Sequence, residues 1–298
     1  MPKYLPTEHS SPERIERKVH LREIKTKKLS TIKLFWGDCF EGMKKHLDEK
    51  SIDVIVTSPP YNIGVDYNRY NDKMPRKEYL NWLGRWAEIV KNVLKDDGSL
   101  FLNIGSKPSD PWVPFEVAFE MRKHFELQNV IHWIKSIYIE HESYGEKIEL
   151  NVGHYKPINS KRFINDTHEH IFHLTKYGNT ELDRLSIGVP YKDQTNIARW
   201  NSGKKGLRCR GNSWYIPYKT ILNRMKDRPH PASYPAELAK MCIRLHGVDK
   251  TELVMDPFLG IGNTAVACSR LGLDFVGFEI DKTYFDEALR ILEGENGT

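Results

Sequence analysis

The sequence predicts a three-layer α/β/α protein whose central, mainly parallel sheet is interrupted by a polar insert. Short apolar segments alternate with amphipathic helical segments, the alternation decays over residues 140–228, and it returns from residue 229. Such alternation is typical of a parallel sheet covered on both faces. We therefore divide the chain into a basic N-terminal arm (1–30), a core (31–139 and 229–298) and an insert (140–228).

Composition narrows the class of protein. The chain has 298 residues, a net charge of +5 and 39% hydrophobic residues, which is ordinary for a globular protein. No apolar run approaches the length of a membrane span, and no secretory signal follows Met1. The four cysteines lie far apart and form no metal-binding pair. We expect a cytoplasmic protein with no membrane association.

The arm and the first half of the core are assigned from periodicity. The arm has little, so we expect a mobile segment with a short helix near residues 12–21. In the helix 78–94, apolar residues recur at helical spacing, and Gly98 separates it from the next strand. The predicted elements are the strand 32–36, a short helix, the strand 53–56, the helix 78–94, the strand 99–104, the helix 114–124 and the strand 129–134.

The second half resumes after the insert, in which only residues 169–175 read as a strand. Pro235 begins a helix and Gly247 ends it, as the residue preferences at helix ends predict. The remaining elements are the strand 252–255, the turn 256–263, the helix 264–271, the strand 275–280 and the helix 282–292.

The turn Asp256–Thr264 (DPFLGIGNT) lies between a strand and a helix. Its glycines allow close approach of a ligand, and free amides at the helix start attract an anionic group. Glu279, at the end of the next strand, is placed to accept hydrogen bonds from two ribose hydroxyls. This order of elements predicts a nucleoside-cofactor site. By itself it does not distinguish a dinucleotide from S-adenosylmethionine.

The segment Val56–Tyr61 (VTSPPY) follows a buried strand, at the sheet edge where ligands bind. An exocyclic amino group of a base is a poor nucleophile, and methylating it requires acceptors for its two hydrogens. The Ser58 hydroxyl and the Pro59 carbonyl can supply them, while Pro60 holds the backbone extended. Tyr61 can stack on a base rotated out of the double helix.

These two motifs resemble those of the beta-class DNA amino-methyltransferases, which act on cytosine N4 or adenine N6. The resemblance covers most of residues 31–293 and implies a Rossmann-like methyltransferase fold, S-adenosyl-L-methionine as cofactor and a target-recognition insert. The Thr-Ser-Pro-Pro-Tyr form is most similar to the cytosine-N4 type. Adenine N6, an RNA substrate and a nucleic-acid-binding protein without turnover remain alternatives.

The resemblance also assigns residues. Asp38 is expected at the cofactor's adenine, Ser233 at its methionine end, and Trp133 with Lys135 near the flipped base. The catalytic set is Ser58, Pro59, Pro60 and Tyr61. The expected cofactor contacts are Asp38, Cys39, Thr57, Ser233, Asp256, Pro257, Phe258, Gly260, Gly262, Asn263, Thr264, Glu279 and Ile280.

The segment from Arg199 to Arg228 contains nine Lys or Arg residues, one acidic residue and four aromatic residues. Such a segment favours binding to the phosphates of a nucleic acid, although a basic surface exposed to solvent has the same composition. We expect double-stranded DNA as the partner, with contacts from Lys204, Lys205, Arg208 and Arg210. A restriction endonuclease acting on the same site is a further expected partner, and the chain is expected to be a monomer or homodimer.

The histidines of the strand 169–175 and the residue before it also suggest metal binding. On a strand, His168 and His170 share one face and His173 lies on the other. Since methyl transfer from a sulfonium needs no metal, we expect no metal site.

Overall fold

The computed structural model describes residues 20–143, 146–153, 158–192, 206–217 and 233–297. Its strands in chain order are β1 His20–Lys25, β2 Thr31–Trp36, β3 Ile52–Thr57, β4 Leu94–Ile104, β5 Glu126–Ile134, β6 Ser136–Ser143, β7 Glu146–Gly153, β8 His168–Thr175, β9 Val189–Pro190, β10 Leu207–Arg208, β11 Ser213–Tyr215, β12 Leu253–Asp256 and β13 Asp274–Glu279. The helices are α1 Cys39–His46, α2 Arg76–Val93, α3 Val113–Met121, α4 Ala236–His246, α5 Asn263–Leu271 and α6 Lys282–Asn296.

Nine strands form the central sheet, in the order β1-β2-β13-β12-β3-β4-β8-β5-β11. The neighbours from β2 to β4 are parallel, as are β5 and β11. The carboxyl ends of β2, β3, β12 and β13 consequently meet at one edge, which is where ligands bind in open α/β sheets.

Helices cover both faces of this sheet, and each face has its own apolar core. One core contains Leu238 of α4, Ala265 of α5 and Ala288 of α6, while the other contains Met43 of α1 and Leu83 of α2. The strand β3 contributes side chains to both cores and is buried along its whole length. This confirms the predicted three-layer α/β/α fold. No helix in the described ranges is long and apolar enough to cross a membrane.

One expectation is corrected. Residues 20–25, assigned to the mobile arm, form β1, which pairs antiparallel with β2 at the sheet edge; the other arm residues before 20 lie outside the described ranges. The strand predicted at 169–175 is β8, which belongs to the central sheet because it pairs antiparallel with both β4 and β5. β11, also within the insert, extends the same sheet. These pairings are long-range, so periodicity does not reveal them.

Candidate functional site

Asp256 joins the two sequence motifs at the end of β12. Its Oδ1 accepts a 2.7 Å hydrogen bond from the Thr57 hydroxyl and a 3.0 Å bond from the Phe258 amide. Its Oδ2 accepts from the hydroxyls of Tyr234 (2.8 Å) and Thr264 (3.0 Å). Burial raises the pKa of Asp256, and the four hydrogen bonds oppose that shift. Through this carboxylate the Pro-Pro motif, the glycine turn and the segment before α4 are held together.

A cavity that is partly open to solvent lies against these segments. Phe40 of α1 and Trp82 of α2 provide aromatic wall surface, and Tyr67, Arg69 and Tyr70 border it from the loop that follows Tyr61. The residues predicted from sequence that line it are Asp38, Cys39, Ser58, Pro60, Ser233, Asp256, Pro257, Phe258, Gly260, Asn263, Glu279 and Ile280.

Glu279 is one of the buried acids of this cavity. Its two carboxylate oxygens each accept one 2.8 Å bond, from the amides of Gly260 and Asp281. Burial raises the pKa of Glu279 to about 7, despite these two amides. Gly260 has a φ of 54°, a left-handed conformation that side chains disfavour, and this places its amide against the acid.

Asp38 is the second acid in the cavity wall and comes from a different strand end. It caps α1, because its Oδ1 accepts bonds from the amides of Phe40 (2.9 Å) and Glu41 (3.2 Å). Both capping bonds use the same oxygen, which leaves Oδ2 for a ligand. Asp38 and Glu279 thus present two carboxylates, held by backbone amides, to one cavity.

Ser58 borders the same cavity and belongs to a hydrogen-bonded cluster. Tyr61 Oη lies 2.6 Å from Ser58 Oγ and donates to Oε2 of Glu169 at 3.0 Å. Asn103 donates to both Tyr61 Oη (2.8 Å) and Glu169 (2.7 Å), and Lys135 Nζ lies 3.0 Å from the other oxygen of Glu169. A phenol has one proton, and here it points to the carboxylate. The Ser58 hydroxyl therefore donates to Tyr61, and its lone pairs remain available to the cavity.

Comparison with known proteins identifies the family. Residues 52–290 match the model of the N6_N4_Mtase family, described as DNA methylase. The chain belongs to this family. It is a DNA amino-methyltransferase, whose target is cytosine N4 or adenine N6.

Individual relatives agree with this membership. The type II methyltransferase M.BglII of Bacillus subtilis is 30% identical over 278 residues, which are 88% of this chain and 69% of that protein. Among solved structures, the PvuII DNA methyltransferase (cytosine-N4-specific) has a TM-score of 0.63 at 19% identity, covering 87% of this chain and 85% of that one. A putative DNA modification methylase of Thermus thermophilus, in complex with S-adenosyl-L-methionine, has a TM-score of 0.56 at 23% identity, covering 88% and 93%. At these identities the two structures support the fold.

Five of the predicted site residues of this methyltransferase do not line the cavity. Thr57 and Thr264 are fully buried behind its wall, with their hydroxyls bonded to Asp256. Gly262 adopts a φ of 83° just before α5 and shapes the turn. Pro59 is buried, and Tyr61 is only 8% exposed, with its hydroxyl held in the cluster described above. These positions suit supporting roles.

Trp133 also differs from its expected place near a flipped base. Its ring is completely buried in the core, and its Nε1 donates a 2.8 Å bond to the carbonyl of Ile216. Lys135, two residues later, points instead toward the hydrogen-bonded cluster of Ser58 and Tyr61 through its ion pair with Glu169.

Several residues of the site were missed from sequence. Glu169 and Asn103 reach the hydrogen-bonded cluster of Ser58 and Tyr61 because β8 pairs with β4, a long-range register with no local signal. Asp72 accepts hydrogen bonds from four consecutive amides, those of residues 62–65, at 2.7 to 3.1 Å. An acid twelve residues after Pro60 carries no sequence pattern. It nevertheless fixes the loop that borders the cavity.

Of the expected DNA contacts, two fall within the described residues. Arg208 belongs to β10 and is exposed, and Arg210 is exposed while its Nε donates a 2.9 Å bond to the carbonyl of Ile187. Lys204 and Lys205 lie outside the described residues.

Proposed function

We propose that this methyltransferase transfers a methyl group from S-adenosyl-L-methionine to N4 of a flipped-out cytosine in duplex DNA. The observation that carries the proposal is that Ser58, whose hydroxyl can act as an acceptor, borders the same cavity as Asp38 and Glu279. The amino group of the target base and the methyl group of S-adenosyl-L-methionine can therefore meet in this cavity.

The cavity suits the cofactor. Aromatic surface from Phe40 and Phe258 can enclose an adenine, Asp38 can accept from its amino group, and Glu279 can accept from the ribose hydroxyls. Carboxylates that are buried or half-buried in a cavity wall need such donors. When bound, S-adenosyl-L-methionine supplies a methyl group on a sulfonium.

The chain's own contribution is to position and polarise the target amine. Ser58 Oγ accepts one amino hydrogen, and a backbone carbonyl of the Pro-Pro motif accepts the other, which favours a lone pair directed at the methyl group. Glu169 acts through Tyr61, since its carboxylate keeps the phenol proton away from Ser58. Most of the rate acceleration then comes from orientation and from acceptors matched to positive charge developing on nitrogen. No covalent enzyme intermediate is required.

Cytosine is favoured over adenine by the serine at position 58 of the motif, and adenine N6 is the alternative within the same architecture. Nucleoside mass spectrometry of DNA methylated by the purified protein separates the two. We expect N4-methylcytosine; N6-methyladenine as the sole product would replace the cytosine proposal.

Turnover itself distinguishes an enzyme from a binding protein that keeps the fold. We expect transfer of a labelled methyl group to duplex DNA by the wild type and loss of transfer by Ser58→Ala, with binding of S-adenosyl-L-methionine retained. Equal transfer by both proteins would remove Ser58 from the mechanism. Preference for RNA over duplex DNA in the same assay would change the substrate class.

DNA binding is proposed for the basic segment that includes Arg208 and Arg210, whose exposed charges can neutralise phosphates. A restriction endonuclease that acts on the same sequence is a proposed functional partner, and no contact with it is implied. Because each strand of a site is methylated separately, either a monomer or a homodimer can perform the reaction.

A further inference from the structure

Three histidines converge on one face of the sheet, away from the cavity. His168 and His170 are two residues apart on β8, and His132 of β5 is the register partner of His170. Residues two apart on a strand share a face, so all three side chains lie on the same side. The distances between their ring centroids are 5.1 Å (His168 to His170), 5.3 Å (His132 to His170) and 5.8 Å (His132 to His168).

The ring nitrogens of this histidine cluster (His132, His168 and His170) are close and uncommitted. One nitrogen from each lies within 4.8 Å of the other two. Within the described residues, the histidine side chains with hydrogen bonds are His173 and His246. Tetrahedral coordination with metal–nitrogen bonds near 2.0–2.1 Å sets the nitrogens about 3.3 Å apart. Small side-chain rotations would close the difference.

The surroundings lower the pKa of His168 and His170, which favours the neutral form that binds metal. Partial burial and the neighbouring histidines lower the pKa of His170 to about 4, and burial lowers the pKa of His168. The His170 ring packs against Phe115 of α3 and Phe172, which limits its motion. Near His168, the carboxylates of Asp166 and Glu169 favour a cation, and the ammonium of Lys135 opposes it.

We propose that the histidine cluster binds a borderline transition-metal ion such as Zn²⁺, with three imidazole ligands and a fourth position open to water. Three histidines and a water form a recognised zinc ligand set. The ion would clamp the first residues of β8 against β5. His168 and His170 flank Glu169, whose side chain points to the cluster of Ser58 and Tyr61. Binding of the ion would therefore hold the backbone of Glu169 in place. Of the histidines weighed from sequence, His168 and His170 share a strand face, and the third ligand, His132, comes from the neighbouring strand.

Metal binding is tested on the untagged full-length protein after chelator treatment and dialysis. The protein is titrated with Co²⁺, whose visible absorption reports coordination, and bound Co²⁺ is then displaced with Zn²⁺. We expect one equivalent of Co²⁺ per chain, displaced by one equivalent of Zn²⁺. The variants His132→Gln and His170→Gln should weaken binding by more than the roughly 10–100-fold that loss of an outer-shell partner costs.

The chain has 12 histidines, so binding elsewhere must be controlled. His141→Gln, at an exposed position of β6, should bind as the wild type does. The triple variant of the cluster should lose the site while keeping its near-ultraviolet circular dichroism and its binding of S-adenosyl-L-methionine. Zn²⁺ should also slow hydrogen exchange of the amides of residues 168–170. Unchanged binding by the folded triple variant, or no stoichiometric binding by the wild type, would overturn the proposal.

Discussion

Thr57 and Asp256 are 199 positions apart in the sequence and share a 2.7 Å hydrogen bond in the core. Each is the last residue of its strand, and the two strands are parallel neighbours. The bond therefore fixes the distance between the loop that holds the amine acceptors and the loop that shapes the cofactor cavity. Positional errors of about 1 Å in such pairs can cost about a hundredfold in rate.

Thr57→Val tests this linkage, because valine keeps the shape of threonine and removes the hydroxyl. Asp256 would lose one of its four donors in a buried site, so we expect the free energy of unfolding to fall by about 1–2 kcal/mol. Urea denaturation measures the change. As a control, Thr31→Val at the exposed Lys25 contact should change stability by less than about 0.5 kcal/mol. Equal effects of the two substitutions would contradict a special role for the buried bond.

The raised pKa of Glu279 predicts a pH dependence of cofactor binding. The proposed ribose contacts require the carboxylate, and its pKa in the free protein is about 7. A proton competes with the cofactor below that pH, so the affinity for S-adenosyl-L-methionine should rise from pH 6 to pH 8. We expect the dissociation constant at pH 6 to exceed the plateau value by about tenfold.

Isothermal titration calorimetry across this pH range measures the effect. Glu279→Gln cannot ionise, so its weaker binding should be flat over the same range. Glu237→Gln, at an exposed position of α4, should reproduce the wild-type profile. A flat wild-type profile would show that Glu279 does not bind the ribose as a carboxylate.

Glu169→Gln tests the polarity of the catalytic cluster. The amide of the new side chain can donate to Tyr61 Oη, and the phenol proton would then turn toward Ser58 and remove its role as acceptor. We expect kcat to fall by about a hundredfold, the scale of losing one electrostatic contact to a transition state. KM for S-adenosyl-L-methionine should be unchanged, since Glu169 is a positioning residue outside the cofactor cavity.

Steady-state kinetics separate these parameters, and thermal melting checks the fold of the variant. Glu149→Gln, at an exposed position of β7, is the matched control and should retain wild-type kcat. A parallel loss of kcat, cofactor affinity and stability in Glu169→Gln would indicate a purely structural role.

Ser99 lies between two buried histidines and predicts acid sensitivity. Its Oγ is 2.9 Å from both His173 Nε2 and His246 Nδ1. Burial lowers the pKa of His173 to about 3 and that of His246 to about 4. Between these values and the unfolded pKa near 6.5, the unfolded chain binds more protons. Stability should therefore fall as the pH drops from about 6.5 toward 4, by up to about 1.4 kcal/mol per pH unit for each histidine.

Urea denaturation at several pH values measures this slope. His246→Gln removes one titrating group, so its stability should be lower at pH 7 and fall less steeply on acidification. His141→Gln, an exposed histidine, should leave the slope unchanged. Identical slopes in the wild type and His246→Gln would exclude the buried pair as the source.

The sequence identifies those parts of the fold and site that depend on local patterns. The helix predicted at 78–94 is Arg76–Val93, and the two motif turns follow β3 and β12 as expected. Features that depend on register could not be predicted. β1, the antiparallel insertion of β8 and the contacts of Glu169 with Tyr61 all join distant segments. The Asp72 loop was also unpredictable, because its order comes from one side chain and four amides.

The insertion of β8 between β4 and β5 has a consequence for engineering sequence specificity. Replacing residues 140–228 as a single block with the corresponding part of a relative would remove an interior strand and the Glu169 carboxylate with it. Chimaeras should instead retain residues 168–175 and 213–215 and exchange the stretches on either side of β8. On the expectation that residues 140–228 select the target sequence, transplanting target choice in this scaffold requires at least two separate grafts.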